Sequence, residues 1–87
     1  MIVAIDEGTT GVSAAAVDRR GRIVRRAYAE IRQSYPRPGW VEHDPDEIWA
    51  KTLRMLKRVA TADVAALGLT NQRETVVVWN RRTGRPV

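Results

Sequence analysis

Asp63-Val64-Ala65-Ala66-Leu67-Gly68-Leu69-Thr70 carries no charge after Asp63 and is nearly all apolar, the composition of a central strand covered on both faces. What precedes it decides how that strand joins a sheet. Asp44-Pro45-Asp46-Glu47 predicts a helix start: Asp44 caps, Pro45 suits the first helical position, and Glu47 sits where it can reach back as in a capping box. Ile48, Trp49, Thr52, Leu53, Leu56, Val59 and Ala60 then recur at helical spacing, with Lys51, Arg54, Lys57 and Arg58 on the other side. This predicts an amphipathic helix of about four turns packed on a sheet. A strand reached through such a crossover lies parallel to an earlier strand of the same sheet.

Upstream, Ile2-Val3-Ala4-Ile5-Asp6 is an apolar run ending in a carboxylate, and Val12-Ser13-Ala14-Ala15-Ala16-Val17 is a second run of small and β-branched residues. Glu7-Gly8-Thr9-Thr10-Gly11 between them predicts a tight hairpin turn, its two glycines allowing positive φ and close backbone approach. Asp18-Arg19-Arg20-Gly21 is another turn, and Arg22 to Ile31 a third strand whose charges suit an edge position with one wet face. Gln33 to Asp44 holds Pro36, Pro38 and Gly39 and reads as a loop. Downstream, Asn71-Gln72-Arg73-Glu74 leads into Thr75-Val76-Val77-Val78-Trp79, a further predicted strand; Asn80 to Gly84 is a turn, and Arg85-Pro86-Val87 begins another element. The order β-β-β-α-β-β is an α/β pattern and the core of the ribonuclease-H-like fold shared with actin-type ATPases, which by itself carries no function. One helix covers one side of such a sheet, so the other face is expected to be bare.

The chain has 87 residues, enough for one small domain or part of one, but hardly for a core and a deep cleft together. It has no cysteine, which excludes a disulfide framework, a thiolate metal site and a cysteine nucleophile. Met1 to Asp6 lacks a basic leader and a long apolar stretch, so neither a signal peptide nor a membrane span is expected. Lys+Arg number 15 against 10 Asp+Glu, a net charge of +5. All the cations except Lys51 and Lys57 are arginines, scattered from Arg19 to Arg85 rather than gathered on one helix. No nucleic-acid partner is expected from that distribution.

Two segments can carry chemistry. A carboxylate at a strand end followed by a glycine-containing turn with two hydroxyls offers backbone N–H groups and the Thr9 and Thr10 hydroxyls to phosphate oxygens, while Asp6 can hold Mg²⁺; equally, such a turn can satisfy only its own backbone. Arg73 and Glu74 follow the apolar strand, where open α/β sheets bind ligands. An adjacent donor and acceptor match the hydroxyls of a polyol, or are two solvated charges in a turn. His43 is the only histidine and has no partners for a Ser-His-Asp or zinc site, so it reads as a loop or cap contact. Trp40, Trp49 and Trp79 read as packing residues.

Three segments together resemble the FGGY family of carbohydrate kinases. Asp6-Glu7-Gly8-Thr9-Thr10 resembles its phosphate-binding start. Tyr35-Pro36-Arg37-Pro38-Gly39-Trp40-Val41-Glu42-His43-Asp44-Pro45-Asp46-Glu47-Ile48-Trp49 resembles its first long loop and helix. Thr70-Asn71-Gln72-Arg73-Glu74-Thr75-Val76-Val77-Val78-Trp79 resembles its glycerol-kinase branch in particular. The resemblance spans essentially all of residues 1–87 and implies the amino-terminal part of the first domain of a longer, cytoplasmic, homo-oligomeric enzyme. That enzyme transfers the γ-phosphoryl group of ATP to glycerol, giving glycerol 3-phosphate, with Mg²⁺. Gly8, Thr9, Thr10 and Gly11 would line the nucleotide phosphates, Thr9 would also touch the substrate, Asp6 would sit near the metal, and Arg73 and Glu74 would bind glycerol. The catalytic base, the aromatic residues around glycerol and the adenosine site would lie beyond Val87. Two departures stand out: Glu7 where the family commonly has Gln, and Gly11-Val12-Ser13 where it commonly has Ser-Ser-Arg, so that Ser13 replaces an arginine expected at the phosphates. Another polyol or sugar kinase of the family, and a free-standing ribonuclease-H-like binding module or nuclease, are the alternatives.

Overall fold

Small side chains in the second strand let a helix settle directly on the sheet, and the rest of the architecture follows from that contact. The structure is a computed structural model and describes residues 1–87. Strand β1 is Ile2–Glu7, β2 Gly11–Val17, β3 Ile23–Glu30, helix α1 Pro45–Val59 and β4 Ala66–Thr70, in one sheet of order β3-β2-β1-β4. The first three strands form an antiparallel meander, and β4 returns parallel to β1, as the crossover requires. Val3 and Ile5 of β1 and Val12, Ala14 and Ala16 of β2 share one face and form a single buried cluster with Met55 and Val59 of α1 and with Ile31. Ala14 and Ala16 leave room for the long Met55 side chain, which is 1 % exposed and fills the irregular space between helix and sheet.

The helix begins as its sequence predicts. Asp44 accepts the Asp46 amide at 2.9 Å and Pro45 opens the first turn. Glu47 does not close a capping box. It accepts the Arg32 amide at 3.0 Å, just past β3, and is 2.7 Å from the Lys51 ammonium, so it ties the helix start to the sheet instead. At the other end the Arg25 guanidinium of β3 donates to the Val59 carbonyl at 3.0 Å, satisfying one of the last-turn acceptors. The buried stripe of α1 is Thr52, Met55 and Val59. Trp49, expected within it, is exposed, because alanines on the sheet accept only slender side chains at the centre of the contact; Trp40 and Trp79, also exposed, lie outside α1, with the Arg37 guanidinium 4.9 Å from the Trp40 ring centre.

Two further expectations are corrected. Ala66–Thr70 is not a central strand: β4 occupies the sheet edge, α1 lies over β1 to β3, and Leu67 and Leu69 are exposed although they share the helix-bearing face with Val3 and Ile5. Thr75 to Trp79 forms no strand. Pairing needs a free edge in register, and this segment instead runs past the start of α1, where Val76, Val77 and Val78 line a groove with Pro45 and Ile48. Its only backbone partner is the chain's own end: Trp79 bridges Pro86, and the Val87 amide donates to the Val78 carbonyl at 2.9 Å, around a turn with Gly84 at φ 74°. The α/β order β-β-β-α-β is otherwise the expected one, without its last strand. The sheet face opposite α1 is bare, with Ile2 and Tyr28 on it exposed.

With Leu67 and Leu69 uncovered on an open edge strand, the 87-residue polypeptide is expected to self-associate. Sedimentation velocity across micromolar concentrations should show a rising weight-average mass, and the double variant Leu67→Lys with Leu69→Lys should return it to a monomer. A second expectation concerns Glu47, whose carboxyl is held below its ordinary value of 4.5 by the Lys51 ammonium first and then by the Arg32 amide. A depressed carboxyl stabilises the folded state above its unfolded-state pKa, and that contribution disappears as pH falls through the folded-state value. Thermal melts of Glu47→Gln should therefore lie below the parent at pH 7 and converge with it as pH falls through the depressed folded-state value of the Glu47 carboxyl.

Candidate functional site

Both candidate segments lie at the carboxyl ends of neighbouring parallel strands. Asp6, near the end of β1, stands opposite Thr70, the last residue of β4, and opposite Ser13 on its other side. The chain leaves β1 through Gly8, Thr9 and Thr10, a turn closed by the Gly8 amide on the Gly11 carbonyl at 2.9 Å. Neither glycine adopts a positive φ; what the turn requires of them is close approach. A Cβ on Gly11 would sit 2.5 Å from the Ala29 carbonyl oxygen and 2.5 Å from the Tyr28 hydroxyl, and one on Gly8 would sit 3.1 Å from the Gly11 carbonyl oxygen. Tyr28 therefore lies across Gly11, with its hydroxyl 3.3 Å from that of Thr10.

The polarity of the turn is sorted. Its carbonyls are tied to the chain: Gly8 accepts from Gln72 Nε2 at 2.9 Å, Thr9 from Gln33 Nε2 at 3.2 Å, and Thr10 from the Ile31 amide at 3.0 Å. The amides of Thr9 and Thr10 donate to nothing in the chain, and both residues are exposed. Acceptors held back and donors left open suit an anion. The Asp6 carboxylate is exposed beside it and takes part in no hydrogen bond or ion pair. No three His, Asp or Glu side chains converge anywhere among these residues. One free carboxylate fits a cation such as Mg²⁺, which keeps several waters and arrives with phosphate oxygens; it does not fit a carboxylate cluster of the kind a two-metal nuclease uses.

Arg73 and Glu74 form a turn just past β4, both exposed and neither hydrogen-bonded within the chain. The guanidinium donors and carboxylate acceptors are thus uncommitted. What holds this turn in place is Gln72. Its side chain donates to the Gly8 carbonyl, accepts the Thr75 hydroxyl at 2.6 Å, and lies 3.1 Å from His43 Nδ1. The two segments singled out in the sequence are therefore joined directly, by a residue the sequence did not single out. His43 is a loop contact and not the cap: Asp44 does the capping, and His43 faces Gln72. The only signal for either contact was proximity to functional segments, since the partners are 64 and 29 residues apart in the chain. Glu7, the departure from the family pattern, accepts the Thr52 hydroxyl at 2.8 Å on the helix side of the sheet, where a glutamine oxygen would serve as well.

Comparisons with known proteins place the chain in a family. Residues 1–87 match the family model described as the FGGY family of carbohydrate kinases, N-terminal domain. The chain is 53 % identical to a glycerol kinase of Acidovorax ebreus and 47 % identical to one of Leptospira biflexa, in each case over 99 % of this chain and 18 % of the relative. A crystal structure of Plasmodium falciparum glycerol kinase with ADP superposes with a TM-score of 0.87 at 32 % identity, covering 99 % of this chain and 19 % of that one. The chain thus spans about a fifth of the length of the proteins it matches. No helix is long and apolar enough to cross a membrane. Matched along its whole length by that family model, the chain belongs to the FGGY family of carbohydrate kinases.

Proposed function

We propose that residues 1–87 are the amino-terminal part of an ATP-dependent glycerol kinase, which moves the γ-phosphoryl group of ATP to a terminal hydroxyl of glycerol and yields glycerol 3-phosphate. The observation that carries the reading is the junction of two open half-sites at the ends of β1 and β4: a turn presenting amides and hydroxyls, and a turn presenting a free guanidinium and carboxylate, linked through Gln72. Phosphoryl transfer asks for that division of labour, since the protein contributes chiefly positioning and charge stabilisation rather than covalent chemistry. The likeness to glycerol kinases supports the choice of polyol.

In this reading the open amides and the hydroxyls of Thr9 and Thr10 hold nucleotide phosphate oxygens, Gly8 and Gly11 line the phosphates through the close backbone approach their missing side chains allow, and Thr9 lies closest to the acceptor side. Asp6 would hold Mg²⁺ directly or through water, and the ion would offset charge on the phosphates. Arg73 donates to the glycerol hydroxyls and Glu74 accepts from them, which orients the polyol with one terminal oxygen toward the phosphate turn. The proton on that oxygen is taken by a base supplied from elsewhere in the protein, and residues 1–87 bind and position. The Tyr28 hydroxyl, beside Thr10, stands on the face where Ser13 leaves the space of a longer donor.

In the full-length protein, Arg73→Ala and Glu74→Gln should each raise KM for glycerol about 5- to 150-fold, the range expected when a hydroxyl of the bound polyol is left without its partner. Thr9→Ala should raise KM for ATP with a smaller effect on glycerol. Steady-state kinetics with each substrate varied separately decides it, and an unchanged glycerol KM in both Arg73→Ala and Glu74→Gln would assign that turn to structure alone.

A further inference from the structure

The loop from Ser34 to Glu42 has no role so far, and its closure delivers a specific side chain. Ser34 and Glu42 exchange two backbone hydrogen bonds, each 2.8 Å. His43 comes next and Asp44 then caps α1, so His43 is fixed on both sides by backbone geometry. Its ring is part-buried against Gln72.

The proton positions in this contact follow by elimination. The Gly8 carbonyl can only accept, so the Gln72 atom 2.9 Å from it is the amide nitrogen. The Gln72 oxygen then faces Thr75 and His43, and an amide oxygen only accepts. His43 Nδ1, 3.1 Å away, must therefore carry a proton. His43 Nε2 is buried and has no partner, so Nδ1–H is the only contact through which the ring acts on the site.

We infer that His43 and Gln72 are positioning residues that fix the Arg73–Glu74 turn to the Gly8–Thr10 turn: His43 orients the Gln72 amide, and the amide holds the Gly8 carbonyl. This rests on the proposed kinase reading and adds to it a physical link between the two substrates' half-sites. The Gly8 carbonyl is the first one after β1. Releasing it frees the turn whose Thr9 and Thr10 amides are left open, while an unanchored Gln72 frees the turn that carries Arg73.

The test uses the full-length protein, with KM measured separately for ATP and glycerol and with hydrogen exchange followed by mass spectrometry over residues 7 to 12. Gln72→Glu keeps the acceptor for Thr75 and His43 but loses the donor to Gly8. It should raise KM for ATP about 5-fold or more and speed exchange in that peptide, with β2 beyond it unchanged. His43→Ala should raise both KM values, and His43→Asn, which restores a donor near the position of Nδ1, should recover most of the loss. The inference is overturned if exchange over residues 7 to 12 is unchanged in both Gln72→Glu and His43→Ala, or if His43→Asn is as impaired as His43→Ala. A parent protein that phosphorylates no glycerol would instead overturn the kinase reading, and the exchange measurements would still decide whether the link exists.

Discussion

Everything at the candidate site depends on the parallel pairing of β4 with β1. Parallel neighbours end at the same side of a sheet, so whatever follows β1 and whatever follows β4 emerge together. Here these are the Gly8–Thr10 turn and the Asn71–Glu74 segment, with Asp6 and Thr70 opposite one another at the boundary. An antiparallel β4 would send Arg73 and Glu74 to the other end of the sheet. The crossover through α1 enforces the parallel direction, and α1 is held by a small set of contacts: Met55 and Val59 on the alanines of β2, Thr52 on Glu7, Glu47 on the Arg32 amide and Arg25 on the Val59 carbonyl. Two of these are polar links at opposite ends of the helix, and they fix its rotation where slender apolar contacts alone would leave it free to slide.

The site is also economical with backbone groups. The Gly8–Thr10 turn has all three of its carbonyls met by donors from two other segments: the Gln72 side chain after β4, and the Gln33 side chain and Ile31 amide after β3. Each such donor comes from outside the β1–β2 hairpin. The turn is consequently not a local structure that the hairpin could make alone, although its sequence is short and local. Its shape records the docking of the β3–α1 loop and of the segment after β4.

That explains what was legible in the sequence and what was not. The meander, the capped helix and the crossover strand follow from periodicity, turn residues and the Asp44-Pro45 start, all of which are local. The placement of the candidate residues Asp6, Thr9, Thr10, Arg73 and Glu74 at or just past strand ends was legible too. The edge position of β4 was not, because the same apolar sequence suits burial by any neighbour, and which neighbour is present is a non-local fact. Thr75–Trp79 misled for the opposite reason: valines favour a strand, but propensity supplies no partner edge. Within α1 the heptad-like spacing was clear and its phase was not, since Trp49 outweighs Met55 in hydrophobicity while the alanine floor of β2 admits the flexible thioether. Gln72 and His43 were opaque, because a hydrogen-bonded amide has no pattern in a single sequence.

The long separation between Gly8 and Gln72 sets an order of assembly. The meander pairs β1 with β2 and β2 with β3 between near neighbours in the chain, whereas β4 must close a span of 64 residues to reach β1's open edge. Loop-closure entropy delays such contacts until enough of the fold exists to repay them. On an emerging polypeptide the three-stranded ribbon can form while α1 and β4 are still being synthesised, and its β1 edge then waits unpaired until Ala66–Thr70 arrives. The Gly8–Thr10 turn and the Arg73–Glu74 turn consequently meet only when β4 docks, so their junction through Gln72 is the part of this region that matures latest.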